Sequence, residues 1–228
     1  MAERELSVWT PRPWPDAAEL EGRWCCLERL DPSRHGDDLY EASSAPGAAE
    51  RFCFLFESAP ADRSAFDAWL DKAASSDDPR FYAVIDRATA RAEGRQALMR
   101  ITPEHGVMEI GSILWGPQIA RTRVATEALY LSAAYVFETL GYRRFEWKCD
   151  ALNTPSRRAA LRFGFTFEGI FRSHMVVKGK NRDTAWYAMT EADWPRLRAG
   201  MERWLTPENF DAAGRQRQSL RDVIAARA

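Results

Sequence analysis

The sequence predicts one α/β (α+β) domain on a mixed, mostly antiparallel sheet with a single parallel strand pair, flanked by helices. Three observations predict it. The runs "RFYAVID", "QALMRI" and "VMEIGSIL" are strand-like and separated by polar turns, which makes a meander. Residues 122–140 then carry two adjacent apolar stripes at helical spacing, Val124, Ala128, Leu131 and Tyr135 beside Ala125, Leu129, Val136 and Leu140. "RRFEWKCD" alternates, with Phe145, Trp147 and Cys149 on one face and Arg144, Glu146, Lys148 and Asp150 on the other, as a half-buried strand does. Strand, long helix and strand make a right-handed crossover, so the two strands it joins are parallel.

The remaining elements follow in chain order. Residues 1–23, with "TPRPWPDAAELEG", are expected as an extended arm, because proline fixes φ and pushes its preceding residue out of the helical region. The domain proper, 24–204, opens with the strand "WCCLERL". Helices are expected in "DPSRHGDDLYEAS" and "DRSAFDAWLDKAA", the second with Phe66, Trp69 and Leu70 at i, i+3, i+4 behind Asp62. Gly141 ends the long helix. In "NTPSRRAALRFG", a shorter helix has Thr154 as N-cap, Pro155 at the first helical position and Gly164 at its stop. "FTFEGIFRSHMVV" and "DTAWYAMT" close the domain as a hairpin across "KGKNR", and a last helix near 193–204 precedes a polar tail, 205–228, expected to add little to the core.

Composition narrows the function classes. A formal charge of −1 provides no whole-protein field toward nucleic acid or anionic lipid, so any anion site must be local. The Arg-rich segments "RTR", "YRR", "SRR" and "GRQRQ" lack the net basic charge and aromatic platforms of RNA-binding modules, and no nucleic-acid partner is expected. Cys25, Cys26, Cys53 and Cys149 show no CxxC spacing and no histidine cluster, which predicts neither a metal site nor a disulfide framework and fits a reducing compartment. No apolar leader and no run near the ~18 residues of a membrane span is present, so a cytoplasmic, membrane-free protein is expected.

The local anion site is sought in "GPQIARTRVATEALY", residues 116–130, a turn running into the long helix. The first N–H groups of a helix have no intrahelical partner and bind anions without help from side chains. Cations beside that positive terminus are repelled by the helix dipole, so Arg121 and Arg123 make sense there if an anion is bound.

The element order resembles that of the GNAT (general N-acetyltransferase) superfamily. Three motifs carry the resemblance: "RTRVATEAL" at the family's pyrophosphate loop, "NTPSRRAALRFGFTFEG", and "FRSHMVVKGKNRDTAW", the last similar to a branch related to the ribosomal-protein N-terminal acetyltransferases. It spans about Trp24 to Trp204, most specifically 107–190. It implies the acyl-CoA N-acyltransferase fold, acetyl-CoA as cosubstrate, and an amine acceptor, either a protein N-terminus or a small molecule. By the same resemblance the amides of Arg121, Thr122, Arg123, Val124, Ala125 and Thr126 hold the pyrophosphate. Ile113, Leu114 and Trp115 bond the pantetheine arm through their backbone, Asn153 bonds the coenzyme, and Ser156 lies near the thioester sulfur. The chain departs from the pattern at Arg123, where glycine is favoured, and at Ala160, where many relatives carry a tyrosine acid.

The attacking amine must be neutral, which asks for a general base or a route for proton loss to water. Glu109, whose family counterpart precedes the same Ile-Gly pair, is the first candidate. His174 is the second, because imidazole alone titrates unperturbed near neutral pH. Arg182 and Asp183 read most simply as a local ion pair, with a substrate role as the alternative. The implied mechanism is direct attack on the thioester with no covalent enzyme intermediate. A non-catalytic acyl-CoA-binding module is the rival, and a homodimer is compatible with either.

Overall fold

The three meander runs fold as β3 (Arg80–Asp86), β4 (Arg91–Thr102) and β5 (Val107–Trp115) in a computed structural model that describes residues 6–226. They form the middle of an eight-stranded sheet with β1 (Glu19–Glu21), β2 (Cys25–Arg29), β6 (Arg144–Asp150), β7 (Thr166–Val177) and β8 (Lys180–Thr190), in the order β1-β2-β3-β4-β5-β6-β8-β7. Every pairing is antiparallel except β5 with β6. Alternation divides β3 between two cores: Tyr82 and Val84 face one, Phe81 and Ala83 the other. Helices α1 (Pro32–Ser44) and α3 (Arg63–Ala74) cover the second core with Leu39, Phe66 and Leu70, and a short helix not foreseen, α2 (Ala48–Phe52), lies between them.

Helix α4 (Arg123–Ala134) covers the first core and runs into a π-helical turn over Tyr135–Thr139, while Gly141 (φ 67°) releases the chain toward β6. Its Glu127 is buried, and the carboxylate accepts the backbone N–H groups of Arg23 (2.9 Å), Trp24 (2.5 Å) and Cys25 (2.7 Å). Gly22 is required beside it, because a Cβ there would stand 2.5 Å from Oε2. The proline-rich arm, which has few N–H groups of its own to pair, is fixed by tyrosines: Tyr135 Oη accepts from the amides of Asp16 and Ala17, and the Tyr142 and Tyr82 hydroxyls donate to the carbonyls of Pro13 and Ala17.

Four expectations need correction. The tail is not peripheral: Phe210, Leu220 and Val223 are buried in the first core beside α6 (Trp194–Trp204), and α7 (Leu220–Ala225) sits so close to it that a Cβ on Gly200 would meet Ile224 Cγ1 at 2.6 Å. β6 is not half-exposed, because it lies inside the sheet and Glu146 and Lys148 on its polar face bury their charges against one another, 2.6 Å apart. The N-cap of α5 (Thr154–Arg162) is Asn153, whose Oδ1 accepts from Ser156 N at 3.0 Å; Thr154 is already helical. Finally, the closing turn needs only Lys178 and Gly179, both at positive φ (49° and 72°), so Arg182 belongs to strand β8.

Candidate active site

β5 and β6 pair only from Val107–Arg144 to Ile110–Trp147 and then part. The cause lies in β5, where two residues, Ser112 and Ile113, stand opposite the single Gln96 of β4, a bulge that turns the strand, with Ser112 at φ 48°. Arg95 holds the bulge from below. Its guanidinium donates to Ser112 O at 2.7 Å, pairs with Glu57, and lies 4.2 Å from the Trp69 ring centroid, all within the buried second layer. Between the diverging strands opens a cleft of ≈ 800 Å³.

At one end the cleft is lined by Arg121, Thr122, Arg123, Ala125 and Thr126. Thr122 caps α4, its Oγ1 accepting from Val124 N at 3.2 Å, and the first-turn N–H groups of Arg123 and Ala125 keep no partner among the described residues. Arg121 takes the left-handed conformation (φ 67°) that glycine usually supplies. The Arg123 guanidinium is stacked 3.7 Å over the Trp24 ring and 5.3 Å from Phe210, so it rests against the start of the domain and the tail, and the loop still lines the cleft.

Arg162 was not singled out by the sequence. From the last turn of α5 it donates to Thr126 Oγ1 at 3.1 Å and lies 5.1 Å from the rings of both Phe163 and Trp204. Burial lowers its pKa, and neither it nor Arg121 or Arg123 has a carboxylate within ion-pair distance among the described residues. Three unpaired guanidinium groups and free helix amides therefore converge on one end.

Midway, Asn153 and Ser156 line the cleft from the first turn of α5, with Ile113, Leu114 and Trp115 across from them on β5. Asn153 spends its Oδ1 on the cap, which leaves its amide NH2 without a protein partner among the described residues. Ser156 Oγ accepts the indole N–H of Trp147 at 2.9 Å and borders Cys149, whose thiol is pushed up by burial and eased back by the Ser156 hydroxyl. A neutral thiol is a poor nucleophile.

At the far end Glu109 is buried. Its Oε2 is 2.6 Å from Arg100 and 3.1 Å from Lys148, while Oε1 accepts from no described residue. Two residues on, a Cβ at Gly111 would stand 2.5 Å from Met99 Sδ and 3.2 Å from Glu109 Oε1, so a larger residue there would press on both side chains. His174 is exposed on β7, bonded to Thr184 Oγ1 at 2.9 Å and packed edge-on against Phe171; it does not line the cleft. The Arg182–Asp183 ion pair does not form, because neighbours in a strand point to opposite faces: Asp183 accepts from Ser173 N and Asn181 instead.

A splayed parallel pair joined by a βαβ crossover, with a helix N-terminus at its open end, thus frames the cleft. The family model for a GNAT acetyltransferase domain matches residues 25–166. The chain belongs to the GNAT acetyltransferase family. The GNAT chain is 57 % identical to a GCN5-related N-acetyltransferase from Brucella melitensis, over 96 % of this chain and 100 % of that one, with a TM-score of 0.95. A GNAT-family structure from Chromobacterium violaceum is 35 % identical over 86 % of this chain and 97 % of that one (TM-score 0.79). An acetyltransferase from Salmonella typhimurium that modifies the N-terminal serine of a 50S ribosomal subunit protein shares the fold, at 18 % identity, TM-score 0.64, and 74 % and 96 % of the two chains. An uncharacterised N-acetyltransferase of Bacillus licheniformis is 27 % identical over 117 residues, which are 50 % of this chain and 63 % of that relative, so the match spans less than two thirds of its length. Among the described residues no helix is long and apolar enough to cross a membrane.

Proposed function

We propose that this GNAT protein transfers the acetyl group of acetyl-CoA to a primary amine, on a protein N-terminus or a small molecule, by direct attack on the thioester. The observation that carries the reading is the basic end of the cleft: unpaired helix amides at Arg123 and Ala125 beside Arg121, Arg123 and Arg162, cations with no protein counter-ion among the described residues. A diphosphate supplies the missing charge and acceptors. Acetyl-CoA would bring an acetyl group already activated as a thioester.

The free edge of β5 at Ile113 to Trp115 suits an extended amide-bearing arm, since the β6 side of the strand is unpaired beyond Ile110. The acceptor nitrogen attacks the carbonyl carbon, the carbon–sulfur bond breaks, and the sulfur leaves as a thiolate. Ser156 is suited to protonate it: one lone pair accepts the Trp147 N–H, and the hydroxyl proton, which faces the sulfur of Cys149, can rotate to the departing thiolate. The demand is small because a thiol has a pKa near ~8.5. The proton lost by the amine goes to Glu109 Oε1 through water, its other oxygen being held by Arg100 and Lys148. His174, outside the cleft lining, is the less suited base. Cys149, a buried neutral thiol, gives no reason to invoke an acyl-enzyme.

A thermal-shift series with acetyl-CoA followed by an amine and peptide panel read by CoA release tests this. At a ligand concentration of ~100 times Kd the fold should gain ~2.7 kcal/mol. No stabilisation would sink the coenzyme site; stabilisation without turnover across the panel would favour the acyl-CoA-binding module.

A further inference from the structure

Arg182 is 7 % exposed and lines the cleft from β8, and its side chain makes no hydrogen bond or ion pair with any described residue; its Nε is buried with no partner. Arginine stays charged at any working pH, and an unpaired buried cation costs several kcal/mol. The other deeply buried cations near this cleft are paired: Arg95 with Glu57 and Ser112 O, Lys148 with Glu109 and Glu146. Carboxylates do lie near Arg182, but they are occupied or out of reach. Glu109 is held by Arg100 and Lys148, and Asp150, outside ion-pair distance, accepts Leu152 N at 2.8 Å. Burial lowers the pKa of Arg182 first, with Asp150, Cys149 and Glu109 opposing it and Arg100 adding to it.

The surroundings are those of a binding pocket. The guanidinium sits 4.9 Å from the Phe56 ring, and Phe54, Leu55 and Phe56 line the same cleft. The β7–β8 turn reaches this segment as well, where Lys178 Nζ donates to Phe52 O at 2.9 Å. Arg182 thus lies beside a contact between the hairpin and the end of α2 with the segment after it, in the same cleft as Glu109.

We propose that Arg182 receives a carboxylate of the acceptor, so that the substrate is an amine that also carries an acid group. The proposal rests on the acetyltransferase reading for the amine and on the unpaired guanidinium alone for the carboxylate. A planar guanidinium matches a carboxylate with two parallel N–H donors and so fixes the amine relative to the acid.

The test measures kcat/KM by CoA release for matched pairs, phenylalanine against phenethylamine and Ser-Asp against Ser-Asn peptides, in the natural protein, R182M and R182K. The natural protein should prefer the carboxylated member of at least one pair by roughly 10- to 100-fold. In R182M the ratio should fall close to one, and R182K should recover part of it. The first pair responding points to a free amino acid, the second to a peptide with an acidic second residue. Equal use of both members by the natural protein, or a ratio unchanged in R182M, overturns the proposal. If no amine is turned over, the acetyltransferase reading fails while the carboxylate site is still decided: the carboxylated members should raise the melting temperature of the CoA-bound natural protein and not of R182M, and an equal response refutes it. Stabilisation of R182M by acetyl-CoA alone certifies that the variant is folded.

Discussion

Replacing Arg162 with methionine separates a side chain kept for a ligand from one kept for the fold. Methionine preserves most of the volume against Phe163 and Trp204, each 5.1 Å from the guanidinium, and removes the charge. The Thr126 hydroxyl loses the 3.1 Å bond from Arg162 but still donates to Thr122 O at 3.1 Å, so no buried donor is orphaned. Against a lost neutral-acceptor bond of about 1 kcal/mol stands relief from desolvating an unpaired cation, and the free protein should melt within a few degrees of the parent or higher. Coenzyme binding should respond in the opposite sense. One charge-assisted contact to a phosphate is worth about 1.5–3 kcal/mol, which is roughly a 10- to 150-fold rise in Kd for CoA. Calorimetric titration with CoA and with pantetheine, which has no diphosphate, reads the effect directly. Pantetheine affinity should change little. Equal weakening of both ligands, unchanged CoA affinity, or a loss of more than about 2 kcal/mol in the free protein would refute the assignment of Arg162 to the diphosphate.

Other outcomes follow from the same geometry. Glu127→Ala strands the amides of Arg23, Trp24 and Cys25 and should cost about 3–5 kcal/mol in urea unfolding; a midpoint unchanged from the parent would mean that water replaces the carboxylate at no cost. Ser156→Ala should lower kcat on the best acceptor by about 10-fold, below the roughly 100-fold or more usual for a general acid, because the leaving group is a thiolate. An acetyl thioester of a more acidic thiol should rescue that loss, and an equal deficit with both thioesters would remove Ser156 from proton transfer. Leu220→Ala empties a fully buried site and should destabilise by about 2–5 kcal/mol, whereas a surface tail would tolerate it.

How far each feature could be read from sequence depended on the range of its cause. The meander, the long helix and the parallel crossover follow from periodicity, a property of neighbouring residues, and they stand at the expected places. The helix cap slipped by one residue because Thr154 and Asn153 are both good caps, and only the backbone decides which side chain reaches Ser156 N. Charged side chains were misjudged most. Alternation marked Glu146 and Lys148 as outward, yet Lys148 is shared between Glu146 and Glu109, the latter arriving from the neighbouring strand β5. Arg162 closes a helix of small and basic residues, and nothing local distinguishes it from Arg157 and Arg158, since its partner Thr126 lies in another element. Arg182 read as the partner of adjacent Asp183, and the shorter turn put the two on opposite faces of a strand. The tail misled because its core residues, Phe210, Leu220 and Val223, are sparse in a polar stretch and show no period.

The family model stops at residue 166, while Trp204, Phe210 and residues 214–216 line the cleft from beyond that limit. The cleft is thus framed by the part of the chain that the family model spans and closed on one side by a late segment that folds back from beyond it. Grafting the final portion of another GNAT chain onto this one would replace that side wall wholesale while leaving the Arg182 pocket as it is. Shortening the protein at Leu205 would instead strip Phe210, Leu220 and Val223 from the first core along with that wall.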